Sequence, residues 1–190
     1  DAAIAVLRGR PAPAPFDIRD AGDALLVLSH MVGDLHQPLH VGSVYLDARD
    51  QPFDPPSAAV AHDARHDTRG GNRLEDAVAA ANLLALWDSL DTPRNPQRLD
   101  AEWLDAARAV KRSEGALEAW PRAWATETVV LAGKAFEGLR YSREAASRPG
   151  NWRVSYADRE AWMRARSESQ TRQITLAGAR LAQVLNTIWP

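Results

Sequence analysis

Residues 29–42, with the sequence SHMVGDLHQPLHVG, constrain this chain more than any other stretch. They hold three of the five histidines in the 190-residue chain. His30 and Asp34 are four residues apart, so on a helix they project from one face, one turn apart. Two side chains arranged in this way can bind one metal ion. Pro38 should end or bend that helix, so that His40 could face a second ion nearby.

Each candidate ligand also has a structural interpretation that the residues alone leave open. His30 and Asp34 could form a simple hydrogen-bonded pair on a partly buried face. We expect His36 to support the site from outside it or to lie at the surface, and His40 to be a ligand. Asp88 is placed at the end of a predicted helix, where a carboxylate faces the negative pole of the helix dipole. A bound cation would remove that penalty, whereas without one Asp88 would be an ordinary turn residue.

Composition limits the chemistry of any metal site in this chain. There are no cysteines, which excludes disulfides and thiolate ligands, so a metal must be bound by nitrogen and oxygen. Zinc accepts imidazole and carboxylate ligands well. The net charge of -2 gives no general attraction for duplex nucleic acid, but it does not oppose a substrate held through metal ions. No apolar run approaches the ~20 residues that span a membrane.

Apolar periodicity predicts an all-α, helix-bundle-like fold with long irregular loops. Helices are expected near residues 1–7, from a cap at Asp17 or Asp20 to a bend or stop at Pro38, and near 73–88, 101–117 and 121–141, with one or two more over 156–189. A break is expected at 91–96, and no convincing strand, repeat or linker is found. The whole of 1–190 is therefore predicted to be one domain, with 41–72 as a long loop insertion rich in proline, glycine and aspartate. No signal peptide is recognisable, and the abrupt start suggests a processed or truncated chain.

The string HMVGDLHQPLHVG at 30–42 resembles the signature of the S1/P1 zinc nucleases, which are similar in fold to zinc-dependent phospholipase C. Weaker matches follow in the family's order, at Gly-Gly-Asn (70–72), Asn-Leu-Leu-Ala-Leu-Trp-Asp (82–88), 124–127 and 177–186. The resemblance runs from about residue 21 to residue 186.

The resemblance implies a mostly helical protein, secreted or periplasmic, that uses up to three zinc ions. It also implies cleavage of phosphodiester bonds in single-stranded DNA or RNA, often with removal of 3′-phosphates. By the same resemblance, His30 and Asp34 would bind a pair of zinc ions, with Asp34 bridging the two. His40 and Asp88 would bind a solitary zinc.

The chain departs from the family pattern in ways that predict fewer than three zinc ions. Leu84 stands where the family has a histidine, and an aliphatic side chain cannot bind zinc. The family's N-terminal portion, which supplies further ligands, is not found in the sequence. The loop between His40 and Gly70 is far longer than that of the family, and its His62 or His66 could replace the missing imidazole.

These observations leave three functions open. The first is a zinc-dependent endonuclease, with or without 3′-nucleotidase activity, acting on single-stranded nucleic acid or nucleotides. The second is a phospholipase C-like phosphodiesterase acting on lipid head groups. The third is a catalytically degenerate helical domain that binds a ligand or partner, although no feature of the sequence identifies a protein partner.

Overall fold

The computed structural model describes residues 1–79, 81–89 and 101–190, and helices predominate among them. The prediction of a mostly helical fold is confirmed. The helices are α1 (Ala2–Leu7), α2 (Ala21–His36), α3 (Pro38–Val41), α4 (Ala58–Ala61), α5 (Leu83–Asp88), α6 (Ala101–Arg108), α7 (Trp120–Ala135) and α8 (Arg159–Ile188), with a 3-10 turn at Leu117–Ala119.

A small sheet accompanies the helices, so the expectation of no strands was wrong. Its strands are β1 (Leu74–Asp76), β2 (Leu139–Ser142) and β3 (Trp152–Tyr156), in the order β1-β3-β2. β3 runs parallel to β1 and antiparallel to β2. Strands of three to five residues are too short for their alternation to stand out from a helical pattern.

Several predicted helix bounds were also wrong. The helix expected over 73–88 is β1 followed by α5, because the Asn82 side chain accepts a hydrogen bond from the Ala85 amide at 2.7 Å and starts the helix at Leu83. α6 ends at Arg108 rather than near residue 117, and α7 ends at Ala135 before β2. The region 156–189 contains one long helix, α8. The predicted break at 91–96 lies outside the described residues.

The chain divides into two compact units. The first unit contains Asp1–His36, the described residues of 101–126 and Thr171–Pro190. Every fourth residue of α2 faces its core, and the buried stripe of α2 meets tryptophans of α7 and aliphatic residues of α8. The core includes Ala24, Leu28, Val32, Trp120, Trp124, Val184 and Ile188.

The second unit contains the described residues of 37–89 and Glu127–Gln170. Its core surrounds the sheet and includes Leu39, Leu46, Leu74, Leu83, Trp87, Trp152 and Val154. The segment 41–72 is largely irregular, although it contains α4 and a fully buried Leu46. The division between the units falls within α7 and α8, and the prediction of one domain over 1–190 stays a prediction. Among the described helices, none has both the length and the apolar character needed to cross a bilayer.

Candidate functional site

The first candidate pair lies on the outer face of α2. His30 Nε2 is 3.3 Å from Asp34 Oδ2, and their side chains are 72% and 30% exposed. The buried stripe of α2 takes up the opposite face of the helix, so neither side chain is needed for the core. The structure thus brings the two side chains together, while their role as metal ligands stays a prediction.

His36 is buried, which corrects the expectation that it could lie at the surface. It is only 2% exposed, and it continues the stripe of core positions at every fourth residue of α2. Its Nδ1 is 2.7 Å from the Val32 carbonyl oxygen, and Arg180 Nη1 is 3.0 Å from its Nε2. A carbonyl oxygen only accepts hydrogen bonds, so Nδ1 carries the proton and Nε2 accepts from Arg180. The histidine therefore anchors the last turn of α2 to α8.

The second candidate pair joins α3 to α5. Pro38 is the first residue of α3, so the chain breaks after His36 and starts a new helix that carries His40. His40 Nε2 lies 3.3 Å from Asp88 Oδ1, with both side chains partly exposed. Gln37 Nε2 donates to the same Asp88 oxygen at 2.9 Å. Two residues far apart in sequence thus meet at the surface of the second unit.

The Gly-Gly segment explains how the motif that contains His40, the Gly-Gly-Asn motif and the motif that ends at Asp88 come together here. Gly70 and Gly71 have φ angles of +57° and +88°, in the region that favours glycine. A Cβ at Gly70 would lie 2.1 Å from the Leu39 carbonyl oxygen in α3. A Cβ at Gly71 would lie 3.2 Å from Leu83 Cβ in α5. The glycines therefore let the chain pass close to both helices that carry the second pair.

Two buried side chains of α8 satisfy carbonyls at the end of α5. The Arg166 guanidinium donates to the Leu86 carbonyl, and Gln170 Nε2 donates to the Trp87 and Ser89 carbonyls at 2.6 and 3.0 Å. These contacts cover the negative end of α5, where a carboxylate at Asp88 would otherwise be disfavoured. Sequence reasoning missed both residues, because nothing in the pattern of a long helix singles out its polar core positions.

The donor spacing in each pair suits zinc. Zn–N and Zn–O bonds of tetrahedral sites place neighbouring ligand atoms about 3.3–3.4 Å apart. Both pairs have a spacing of 3.3 Å. Hydrogen bonds from nitrogen to oxygen are usually shorter, at about 2.7–3.2 Å. Each pair therefore fits as two ligands of one ion.

Neither pair forms a full ligand set by itself. Protein zinc sites use three or more side chains, and within the described residues no three His, Asp or Glu side chains cluster as a possible metal site. Leu84, one turn before Asp88, packs against the core of the second unit and supplies no donor atom. The pairs thus fit zinc in chemistry and spacing but supply only two ligands each.

The loop histidines do not join the second pair. His66 Nδ1 donates to the Leu46 carbonyl at 2.8 Å, and its ring packs edge-on against Phe53 at 5.2 Å. His62 caps the end of α4 with its side chain exposed. Because no three possible ligands cluster in the described part of the chain, the proposed replacement of the missing imidazole by either histidine is not seen.

Away from both pairs, Glu75 holds a loop to the edge of the sheet. It accepts hydrogen bonds from Ser147 N and Oγ at 2.7 and 2.8 Å, and from Asn151 Nδ2 at 2.9 Å. Burial raises the pKa of Glu75, but the hydrogen bonds from Ser147, Asn151 and Arg148 outweigh burial and lower the pKa to about 2. Glu75 is thus an ionised structural anchor.

Comparison with known proteins gives one match. A family model described as S1/P1 Nuclease matches residues 11–190. No curated protein and no solved structure matches the chain significantly.

Proposed function

This chain belongs to the S1/P1 nuclease family, and from that premise we propose that it is a zinc-dependent phosphodiesterase acting on single-stranded DNA or RNA. Membership of this family supports a nuclease or phosphodiesterase activity in general. The dependence on zinc, the preference for single strands, the possible removal of 3′-phosphates and a secreted or periplasmic location are proposed from the family resemblance.

The observation that carries the proposal is the repeated spacing of the two pairs. An imidazole nitrogen and a carboxylate oxygen that turn lone pairs towards one point repel each other unless a proton or a cation lies between them. His30–Asp34 and His40–Asp88 are both 3.3 Å apart, which is about the spacing of neighbouring ligand atoms around zinc. The same imidazole–carboxylate pairing at both positions supports the proposal.

We propose His30, Asp34, His40 and Asp88 as the metal ligands. When bound, zinc supplies Lewis acidity at a phosphoryl oxygen and lowers the pKa of water. His30 and Asp34 present two donors from a helix whose other face is packed in the core, which fixes the backbone positions that carry them. His40 and Asp88 lack a third ligand at Leu84, so we propose that they bind zinc more weakly and that the chain holds fewer than three ions.

The test combines metal analysis with hydrolysis of defined substrates. Protein stripped with a chelator is assayed on single-stranded and duplex oligonucleotides of DNA and RNA, before and after zinc is restored. We expect zinc-dependent cleavage of single strands, and a lower zinc content together with loss of cleavage in His30→Ala and Asp34→Asn. His62→Ala removes an exposed histidine outside the pairs and is the matched control. Unchanged zinc content in both ligand variants would overturn the assignment.

A second candidate function is favoured by the surface around the first pair. Leu26, Val27 and Met31 are exposed on α2 close in sequence to His30, with Leu26 72% exposed. Such an apolar rim suits a phosphodiesterase that acts on phospholipid head groups at a lipid surface. Release of phosphocholine from phosphatidylcholine vesicles, with no cleavage of oligonucleotides, would favour this candidate. Zinc binding with neither activity would favour a degenerate binding domain.

A further inference from the structure

Helix α6 and the segment that follows it contact α8 at two places in the first unit, and a cavity lies along them. Trp103 Nε1 donates a hydrogen bond to Thr175 Oγ1 at 2.7 Å. Further along both segments, Gln183 Nε2 donates to the Lys111 carbonyl at 3.1 Å, and Gln183 Oε1 accepts from the Ser113 amide at 3.0 Å. The cavity has a volume of about 560 Å³ and is lined by residues between 103 and 110 and between 174 and 186. Small-molecule sites usually have volumes of about 300–1,000 Å³, so the cavity is large enough for a ligand.

Small side chains keep this cavity open. Ala107 lines it from α6, and Gly178 and Ala182 line it from α8. A Cβ at Gly178 would meet no atom of the surrounding fold within 4 Å, so the space in front of this residue is free. Larger apolar side chains complete the wall, namely Trp103, Leu104, Val110 and Ile174. The interior of the cavity therefore offers mainly hydrocarbon contacts to a ligand.

Two polar side chains in the lining already have hydrogen-bond partners in the protein. Thr175 Oγ1 accepts from Trp103 and donates to the Thr171 carbonyl at 2.8 Å. Gln183 uses both its oxygen and its nitrogen in the contacts described above. A polar group of a ligand placed against them would lose its water without gaining a new hydrogen bond, which is unfavourable. This part of the lining therefore favours an apolar segment of the ligand.

One end of the cavity carries positive charge. Arg108 lines the cavity, and its Nη1 is 3.1 Å from Asp105 Oδ1. The side chains of this pair are 74% and 71% exposed, so water screens the attraction and leaves it weak. Arg112 Nη2 donates to the neutral Thr187 hydroxyl at 3.3 Å, next in sequence to Asn186 in the lining. Two guanidinium groups at this end suit a carboxylate, to which they can donate charge-assisted hydrogen bonds.

We propose that the cavity between α6 and α8 binds an anionic amphiphile with a single alkyl chain, such as a medium-chain fatty acid. The alkyl chain extends along the apolar wall towards Trp103, and the carboxylate meets Arg108 and Arg112. Each methylene group that is buried should tighten binding about fourfold. The site uses no residue of either histidine–aspartate pair, so the inference goes beyond the proposed function and does not depend on it.

The test measures the binding of dodecanoate to the full chain by calorimetry, below the concentration at which micelles form. Shorter carboxylates and the cationic dodecyltrimethylammonium are the comparison ligands. Gly178→Leu places a side chain in the free space, and Gly133→Leu in α7 is its matched control, because a Cβ there also meets no atom within 4 Å. Arg112→Gln removes a charge but keeps a donor for the Thr187 hydroxyl, and the exposed Arg122→Gln is its control. The unfolding temperature and the sedimentation of each variant are recorded in parallel.

We expect the wild type and Gly133→Leu to bind dodecanoate, and Gly178→Leu to lose binding while it remains folded. Affinity should fall about fourfold for each methylene removed from the ligand. Arg112→Gln should bind dodecanoate about tenfold more weakly, whereas Arg122→Gln should bind it as the wild type does. The proposal would be overturned if the wild type did not bind dodecanoate, bound dodecyltrimethylammonium equally well, or kept its affinity in Gly178→Leu. A dimer that Gly178→Leu disperses would also overturn it, because the cavity would then belong to a second copy of the chain.

Discussion

Gly70 lies directly against the carbonyl of Leu39, so close that a Cβ at Gly70 would be 2.1 Å from that oxygen. The contact joins the glycine segment to α3, the helix that carries His40. Any side chain at this position would have to move α3 or its own backbone. The packing around the second pair therefore requires a residue without a Cβ at position 70.

Gly70→Ala should destabilise the second unit and weaken metal binding at His40 and Asp88. The left-handed backbone alone costs roughly 1–2 kcal/mol for a residue other than glycine, and displacement of the Leu39 carbonyl adds to it. Denaturant unfolding and zinc calorimetry measure the two effects. Gly133→Ala, at a position in α7 with no atom within 4 Å of the added Cβ, is the control and should be neutral or stabilising. Equal stability of both variants would contradict the packing argument.

Leu84→His should strengthen zinc binding at the second pair. Residue 84 lies one turn before Asp88 on α5, so an imidazole there would project from the same face as the carboxylate. A third ligand should raise the affinity by about tenfold or more. Calorimetry with zinc measures the gain, and Leu84→Ala, which removes the same packing without adding a donor, should show none. An unchanged affinity in Leu84→His would mean that His40 and Asp88 do not form a metal site.

His36→Ala should destabilise the first unit by roughly 2–4 kcal/mol, because it leaves a cavity and removes the acceptor of a buried arginine. The loss is measured by urea unfolding. The exposed His62→Ala should change stability by no more than about 0.5 kcal/mol. Nitrogen chemical shifts should show the Nδ1–H form of His36, as its bonds to the Val32 carbonyl and Arg180 require. An Nε2–H form would contradict those bonds.

Glu75 should make the protein sensitive to acid. Its pKa falls from the usual 4.5 to about 2 on folding, so the ionised carboxylate stabilises the fold above pH 4.5. That stabilisation is lost progressively as the pH falls towards 2. Glu75→Gln should cost roughly 1–3 kcal/mol at neutral pH, and the difference from wild type should shrink in acid. The exposed Glu118→Gln should leave the acid profile of unfolding unchanged, and a similar profile for both variants would exclude Glu75 as the source.

The sequence predicted those parts of the site that depend on local spacing. His30 and Asp34 come together because any α-helix brings residues four apart to one face, and Pro38 breaks the chain because it cannot continue α2. The burial of His36 was also within reach, since it continues the buried stripe of α2. A pattern of apolar residues does not include this position, because its side chain is polar.

Other parts depend on contacts that no local pattern encodes. Gln37 and Asp88 are 51 residues apart, and their hydrogen bond exists only once α3 and α5 have packed. β1 has three residues, and its pairing with β3 is set by a segment that begins at Trp152. The carbonyl contacts of Arg166 and Gln170 likewise need α8 in place. Such features follow from tertiary structure, which overrides the local helical signal.

The two faces of α2 have a consequence for how such proteins diverge. The residues that hold this helix in its unit are different from His30, whose side chain is 72% exposed, so exchanging His30 need not cost folding stability. At position 84 one side chain would have to serve both core packing and metal binding, and leucine gives apolar packing in place of a donor. Selection for a stable fold alone would therefore tolerate substitution of His30 while favouring leucine at position 84. A relative that folds well need not have kept the hydrolytic activity.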